Sequence, residues 1–502
     1  MLKKVFMAPD PGRTRLRFAA RGVLGIGPAV AVCGLAGHSL NGAVTGGLAA
    51  LLALFTVTDA TVRGQAVTTA LLPAVGLPVL AAATELHTSP VARGLVLLAV
   101  VGAGVYARRW GPRGHSLGVF AFMTFFVAQF LHAGPEQLPE LSAAVLLALL
   151  TTSSVRFVLW CYERRTTLVP LPAPMPTGER GLARATTRQA VQATAAAGFA
   201  LVLGQLVSGD RWYWAVGATW WIFVNTTSRG ETLVRGFRRV LGTVLGIGLG
   251  LAVALPVAGA PVPTALLVAV CVFGIFYSAA VSYTWMMLSV TLLAELLYGL
   301  LGVLDPALLA VRLAETGVGA LGALLAVALV LPITTHATTD AWIQHALRCV
   351  HACTAEAAAR LAGASADPAP RVAELELLLG RVRLSVAPLV HPLNPVRARK
   401  RRAHRVLALL DDCAHEIRGL AAVAADPAAS PDHDLRLAAA CRRVETAVEA
   451  LTEGRADRVT APAPDRPHTA EPALAHLHGL ERALSELANP LRGPSGSPLL
   501  GA

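Results

Sequence analysis

Apolar residues form long runs through the first two thirds of the chain and switch to helical-period alternation in the last third. The runs lie at about 16–36, 42–58, 64–83, 91–107, 115–132 and 140–160. After a gap they resume at 184–207, 211–226, 233–256, 262–279, 281–301 and 308–331. A helix of about 20 apolar residues covers the roughly 30 Å hydrocarbon core of a bilayer, so the pattern predicts twelve transmembrane helices. The gap at 163–183 contains LVPLPAPMPTGERG, Pro-rich and charged, and reads as an extended linker. From about 332, segments at roughly 338–362, 371–390, 397–424, 432–453 and 470–489 are amphipathic. In the second of them Val372, Leu375, Leu378 and Leu379 share a stripe, with Glu374 and Glu376 off it.

Charge placement orients the runs. Basic residues gather before or at the start of the first run (Lys3, Lys4, Arg13, Arg15, Arg17, Arg21), after the second (Arg63) and after the fourth (Arg108, Arg109, Arg113). They gather again around the linker and after the eighth run, whereas the opposite side receives little beyond Arg93, Arg211 and Arg312. The positive-inside rule then places both termini in the cytoplasm. The basic start leads into a full-length span and shows no short apolar core with a small-residue cleavage site. Only 15% of residues are charged, well below the quarter usual in soluble domains. The net charge of +12 is therefore read as membrane topology, and nucleic acid is not expected as a partner. The seven cysteines are scattered and give no disulfide framework.

The two sets of runs resemble each other. FTVTDATVRGQAV (55–67) lies over WIFVNTTSRGETL (221–233), and at the same offset Gln129 lies over Glu295. Each half has an even number of spans, so the repeats are parallel and related by an axis along the membrane normal. The predicted fold is all-α: a polytopic membrane protein with about twelve transmembrane helices as two parallel six-helix repeats, plus a C-terminal cytoplasmic helical bundle. The expected boundaries are 1–162 for the first repeat, 163–183 for the linker, 184–331 for the second repeat, 332–489 for the cytoplasmic domain and 490–502 for a disordered tail.

Chemistry-bearing residues cluster around the eighth to twelfth runs. Thr226–Gly246, TTSRGETLVRGFRRVLGTVLG, carries Arg229-Gly230-Glu231-Thr232, Arg235, Arg238-Arg239 and Leu241-Gly242-Thr243. This element resembles the shared segment of the fusaric acid resistance and aromatic acid exporter family of bacterial inner-membrane proteins. Arg312-Leu313-Ala314-Glu315-Thr316-Gly317 is a weaker second match. The first half departs from the pattern: Gln65 stands at the position of Glu231, and no arginine row follows. The resemblance implies a plasma-membrane secondary transporter that exports small organic anions, aromatic carboxylic acids in particular, driven by the proton gradient.

Each candidate has two readings. Arg229, Arg235, Arg238, Arg239 and Arg312 either fix topology against lipid headgroups or hold a substrate anion, since guanidinium binds carboxylate with two hydrogen bonds. Glu295 sits inside an apolar run with no basic neighbour in sequence, where ionisable groups face a cavity or relay protons. Its alternative is a carboxylate just under the outer headgroups. Glu315, the second proton-coupling candidate, is three residues from Arg312 and can pair with it on one helix turn. Trp220 and Trp221 face either lipid or an aromatic substrate, whereas Trp212 and Trp214 at the run's start read as an interfacial belt. Gly242, Gly246 and Gly250 are spaced by four and read as helix-packing positions.

Neither a nucleotide loop nor a catalytic signature is found, so no enzymatic activity, cofactor or metal is expected. The expected partners are a small organic anion and membrane lipids, which the basic run at Arg397–Arg405 is placed to contact; a homo-oligomer is compatible with the pattern. Two rival readings come with these residues. One is a passive anion channel, since plant malate channels are similar in joining a six-span half to a cytoplasmic helical domain. The other is a membrane scaffold acting through its last third.

Overall fold

A computed structural model describes residues 13–59, 61–163, 181–224, 226, 228–257, 260–332, 335–390, 397–426, 435–453, 455, 459 and 472–491. The predicted linker and tail lie, but for their edges, outside these residues, as do Lys3 and Lys4. All regular structure among the described residues is helical. Twelve helices occupy the predicted runs: α1 (Thr14–Leu35), α2 (Leu40–Thr56), α3 (Val62–Glu85), α4 (Pro90–Ala107), α5 (Gly111–Phe130), α6 (Leu138–Glu163), α7 (Ala185–Val207), α8 (Tyr213–Phe223), α9 (Arg229–Val257), α10 (Pro261–Ser278), α11 (Tyr283–Leu300) and α12 (Pro306–Leu329).

Nine helical stretches among the described residues are long and apolar enough to cross a membrane, one of them running from Pro90 through Phe130. A 3₁₀ turn at Arg108–Trp110 divides that stretch into α4 and α5. The run predicted at 211–226 is helical only over the 11 residues of α8, about 16 Å at 1.5 Å per residue and too short to span alone. Its C-terminal end is set by neighbours: the carbonyl oxygens of Phe223 and Thr226 accept from the Arg108 guanidinium. Thr226 O also accepts from the Gln189 side chain. Side-chain donors thus take carbonyls that a continuing helix would have satisfied internally.

The packing pairs recur at a spacing of six helices. α1 meets α2 and α6, and α2 meets α6; α7 meets α8 and α12, and α8 meets α12. Contacts of α4 with α5 and of α10 with α11 match in the same way, as do the crossed pairs α4 with α7 and α10 with α1. Buried residues from both sets share one apolar core. Within it Phe122 stacks on Trp220 at 4.5 Å.

The helices from Thr335 onward form a separate compact unit, comprising α13 (Thr335–Leu361), α14 (Ala369–Val390), α15 (Arg397–Ala425), α16 (Leu435–Thr452) and α17 (Pro472–Leu491). Leu375, Leu378 and Leu379 are buried as their stripe predicts, against a core that includes Val406, Leu410 and Leu480. On its surface Arg401 and Arg405 are exposed, and Arg405 lies 3.5 Å from Glu486. Cys413 of α15 is buried in this core, and its thiol is pushed up to about 12 by burial and by the carboxylate of Asp412. Only the thiolate alkylates, so at pH 8 the reactive fraction is about one in ten thousand. Mass spectrometry after maleimide treatment is expected to find Cys413 modified in denatured protein and unmodified in native protein.

Candidate functional site

The twelve-helix unit contains a cavity of about 110 Å³ lined by residues of α2, α5, α8, α9, α10 and α11. Its wall includes Leu48 and Phe55 of α2, Met123 and Phe126 of α5, Trp214 and Trp221 of α8, and Met287 and Leu293 of α11. Arg239 of α9 is the one charged residue on that wall. Helical spacing explains the composition: each helix turns an apolar stripe inward, and only α9 brings a cation on the same face.

Arg239 is 5% exposed. One terminal nitrogen donates to Tyr283 Oη at 3.5 Å and to Met287 Sδ at 3.0 Å. Its Nε has no partner, and no carboxylate lies within ion-pair reach of it among the described residues. A buried cation held only by a phenol and a thioether is under-compensated, since charge burial costs several kcal/mol unless matched. Beside it, Arg235 donates from Nε to the Trp221 carbonyl at 3.0 Å and places its guanidinium 4.0 Å over the Tyr283 ring. Tyr283 Oη donates to the same Trp221 carbonyl at 3.1 Å. Arg238 is half-buried, and Arg229, the first residue of α9, is exposed. The arginine row therefore divides around the helix: Arg235 and Arg239, one turn apart, converge on Tyr283, and the other two do not.

Two more charges are buried nearby. Arg312 of α12 is 4% exposed, with its guanidinium 4.1 Å over the Trp214 ring and Nη1 without a partner. Trp214 Nε1 donates to Tyr298 Oη at 2.6 Å, which holds the indole between the cavity and Arg312. Glu295 of α11 has no exposed surface, and neither carboxyl oxygen has a hydrogen-bond partner. Its neighbour Ala294 lines the cavity, while Glu295 itself turns toward Gly250 of α9. The headgroup alternative for Glu295 is thereby replaced by burial inside the protein.

Other expectations need correcting. Arg312 and Glu315 do not pair: Arg312 stacks on Trp214, and the Glu315 carboxyl is buried where α12 faces Gly204 of α7. The two side chains leave the helix about 60° apart, and each is claimed by a different neighbour. Trp212 and Trp214 are not an interfacial belt. Both are buried, because α8 is packed against α5, α7 and α12. Trp220 and Trp221 separate as consecutive helical residues must: Trp220 is core and Trp221 lines the cavity.

Sequence reasoning missed Arg108 and Tyr283. Arg108 reads as a topology residue at a span's end, yet the fold brings it from the first set of helices onto the carbonyl end of α8. Tyr283 reads as one aromatic among many; only the packing of α11 on α9 places its hydroxyl beside Arg239.

Residues 197–326 match the family model described as fusaric acid resistance protein-like. The match takes in α8–α11, the C-terminal part of α7 and most of α12, including Arg239, Glu295, Arg312 and Trp214. The resemblance carried by Thr226–Gly246 is thus found independently over a longer stretch, and with the nine apolar stretches it marks a multi-pass membrane protein. No protein of curated function matches the chain.

Proposed function

We propose that this chain, with its fusaric acid resistance protein-like domain, is a plasma-membrane transporter that exports small organic anions, aromatic carboxylic acids among them, driven by the proton gradient. The observation that carries the reading is Arg239: a buried, under-compensated guanidinium on the wall of an otherwise apolar cavity. That combination fits a ligand with one carboxylate and an apolar body. Arg312, one indole away, offers a second cation along the path, and Glu295 is the group placed to carry a proton.

Twelve spans in two parallel repeats is the architecture behind this function. The recurrence of helix pairs at a spacing of six supports it, as does the asymmetry of basic residues, which favours cytoplasmic termini. A carrier of this kind alternates access by moving one half against the other. The cavity is smaller than the roughly 150 Å³ that accommodates benzene in a protein core. The conformation described is therefore closed to a ring-bearing acid and has to widen to admit one.

The test is accumulation of radiolabelled aromatic acids by everted membrane vesicles, with and without a protonophore. Accumulation that requires the gradient and stops with the protonophore is the expected result. Flux that persists unchanged with the protonophore and follows only the anion's own gradient would replace the carrier by a passive channel.

A further inference from the structure

We propose that Gly250 is a positioning residue for Glu295, and that the α9–α11 seam on which both lie couples anion occupancy at one end to proton occupancy at the other. The inference rests on the transporter reading above.

Arg239, Gly242, Gly246 and Gly250 follow one another at spacings of three, four and four, which keeps them on one face of α9. Each meets α11 one step further along. Arg239 touches Tyr283 and Met287. A Cβ on Gly242 would stand 2.6 Å from the Thr284 carbonyl oxygen, and one on Gly246 would stand 2.5 Å from Thr291 Cβ. A Cβ on Gly250 would stand 1.4 Å from Glu295 Oε2. The first two glycines let helix meet helix, which is the packing role their spacing predicts. The third differs, because what fills its missing side chain is a carboxyl group.

The seat is closed to solvent and its protein groups provide no hydrogen bond. Glu295 is wholly buried with both oxygens unpartnered. The ionisable groups that act on it from the other adjoining helices are Cys271 of α10 and Arg312 of α12. Glycine contacts leave no side-chain slack between the two helices, so a change of fit at one end is passed along the seam. An anion at Arg239 draws the guanidinium from Tyr283 and Met287, both on α11. Loosening there widens the far end, where water reaches the carboxyl group and accepts its proton, leaving the carboxylate. The first set of helices has Thr84 and Gln129 at the corresponding positions, so the device belongs to the second half alone.

The experiment reads protonation directly and does not depend on transport. Full-length protein in native membranes is treated at pH 7 with dicyclohexylcarbodiimide, which adds to protonated buried carboxyls, and adducts at Glu295 and Glu315 are quantified by mass spectrometry. Gly250→Ala is expected to lower labelling of Glu295 on the order of tenfold, as for a carboxyl moved out of its desolvated seat, with Glu315 unchanged. Gly248→Ala, whose added Cβ meets nothing within 4 Å, leaves both unchanged. Benzoate, as the monocarboxylate probe, is expected to reduce Glu295 labelling in the unaltered protein and to have no effect in Arg239→Leu. Equal Glu295 labelling in Gly250→Ala and the unaltered protein overturns the positioning role, and labelling indifferent to benzoate overturns the coupling. If Gly250→Ala fails to accumulate, Glu295→Asp in the same chain must restore it by withdrawing one methylene, and failure to restore removes the seat. A transport defect in Glu295→Gln alongside normal labelling in Gly250→Ala would sink this inference and leave the transporter reading standing.

Discussion

Vesicles carrying Glu295→Gln are expected to lose gradient-driven accumulation of organic anions, by at least about tenfold, with the protein still present in the membrane. The substitution keeps the side chain's shape and removes its titration. Fold should survive it, because a neutral amide costs less than an ionised carboxylate in a seat that offers no hydrogen bond to either oxygen. Intramembrane carboxylates of this kind handle protons in pumps and transporters, and Gln cannot. Exchange of labelled for unlabelled anion across the same vesicles needs no net proton movement and should persist within about twofold, since Arg239 is untouched. Retained gradient-driven accumulation in the variant would remove Glu295 from the coupling step. Glu315→Gln supplies the contrast: that carboxyl is also buried but lies against Gly204 of α7, away from the contact of α9 with α11.

Arg239→Leu is expected to move stability and binding in opposite directions. A buried charge without an ionic partner is a net cost to the fold, and replacing such groups by apolar side chains is often neutral or stabilising. The thermal midpoint in detergent should therefore hold or rise. Binding should weaken by about 10- to 100-fold, the worth of a charged hydrogen bond of about 1.5–3 kcal/mol to the ligand's carboxylate. Arg239→Lys keeps the charge and loses the planar fork, so it should fall between the two. Quenching of indole fluorescence by the bound acid offers a convenient readout, because Trp214 and Trp221 both line the cavity. A variant that binds as tightly as the parent would show that the cavity is not where the carboxylate sits.

How much of this was legible beforehand differs by level. Apolar run length located the helices, because a bilayer leaves a backbone few choices. The run at 211–226 was the exception. Its helix is cut short by Arg108 and Gln189, residues far away in the chain, and no local pattern announces a cap supplied from elsewhere. Glu295 stood out because a lone acid in an apolar run is rare. Arg239 did not stand out from Arg229, Arg235 and Arg238. All four satisfy the same topology rule, and only the angular position of each on α9 decides which one is buried.

The sequence by itself determined the helical membrane character, the amphipathic helices beyond residue 332, the family resemblance and the identity of the isolated acid. The tertiary structure decided which charges meet. It parted Arg312 from Glu315, took Trp212 and Trp214 out of an expected interface into the core, and set Gly250 against Glu295. The physical reason is that apolar periodicity specifies which face of a helix turns inward, whereas the partner waiting there depends on the packing of other helices. A buried charge or a missing side chain acquires its meaning only from that partner.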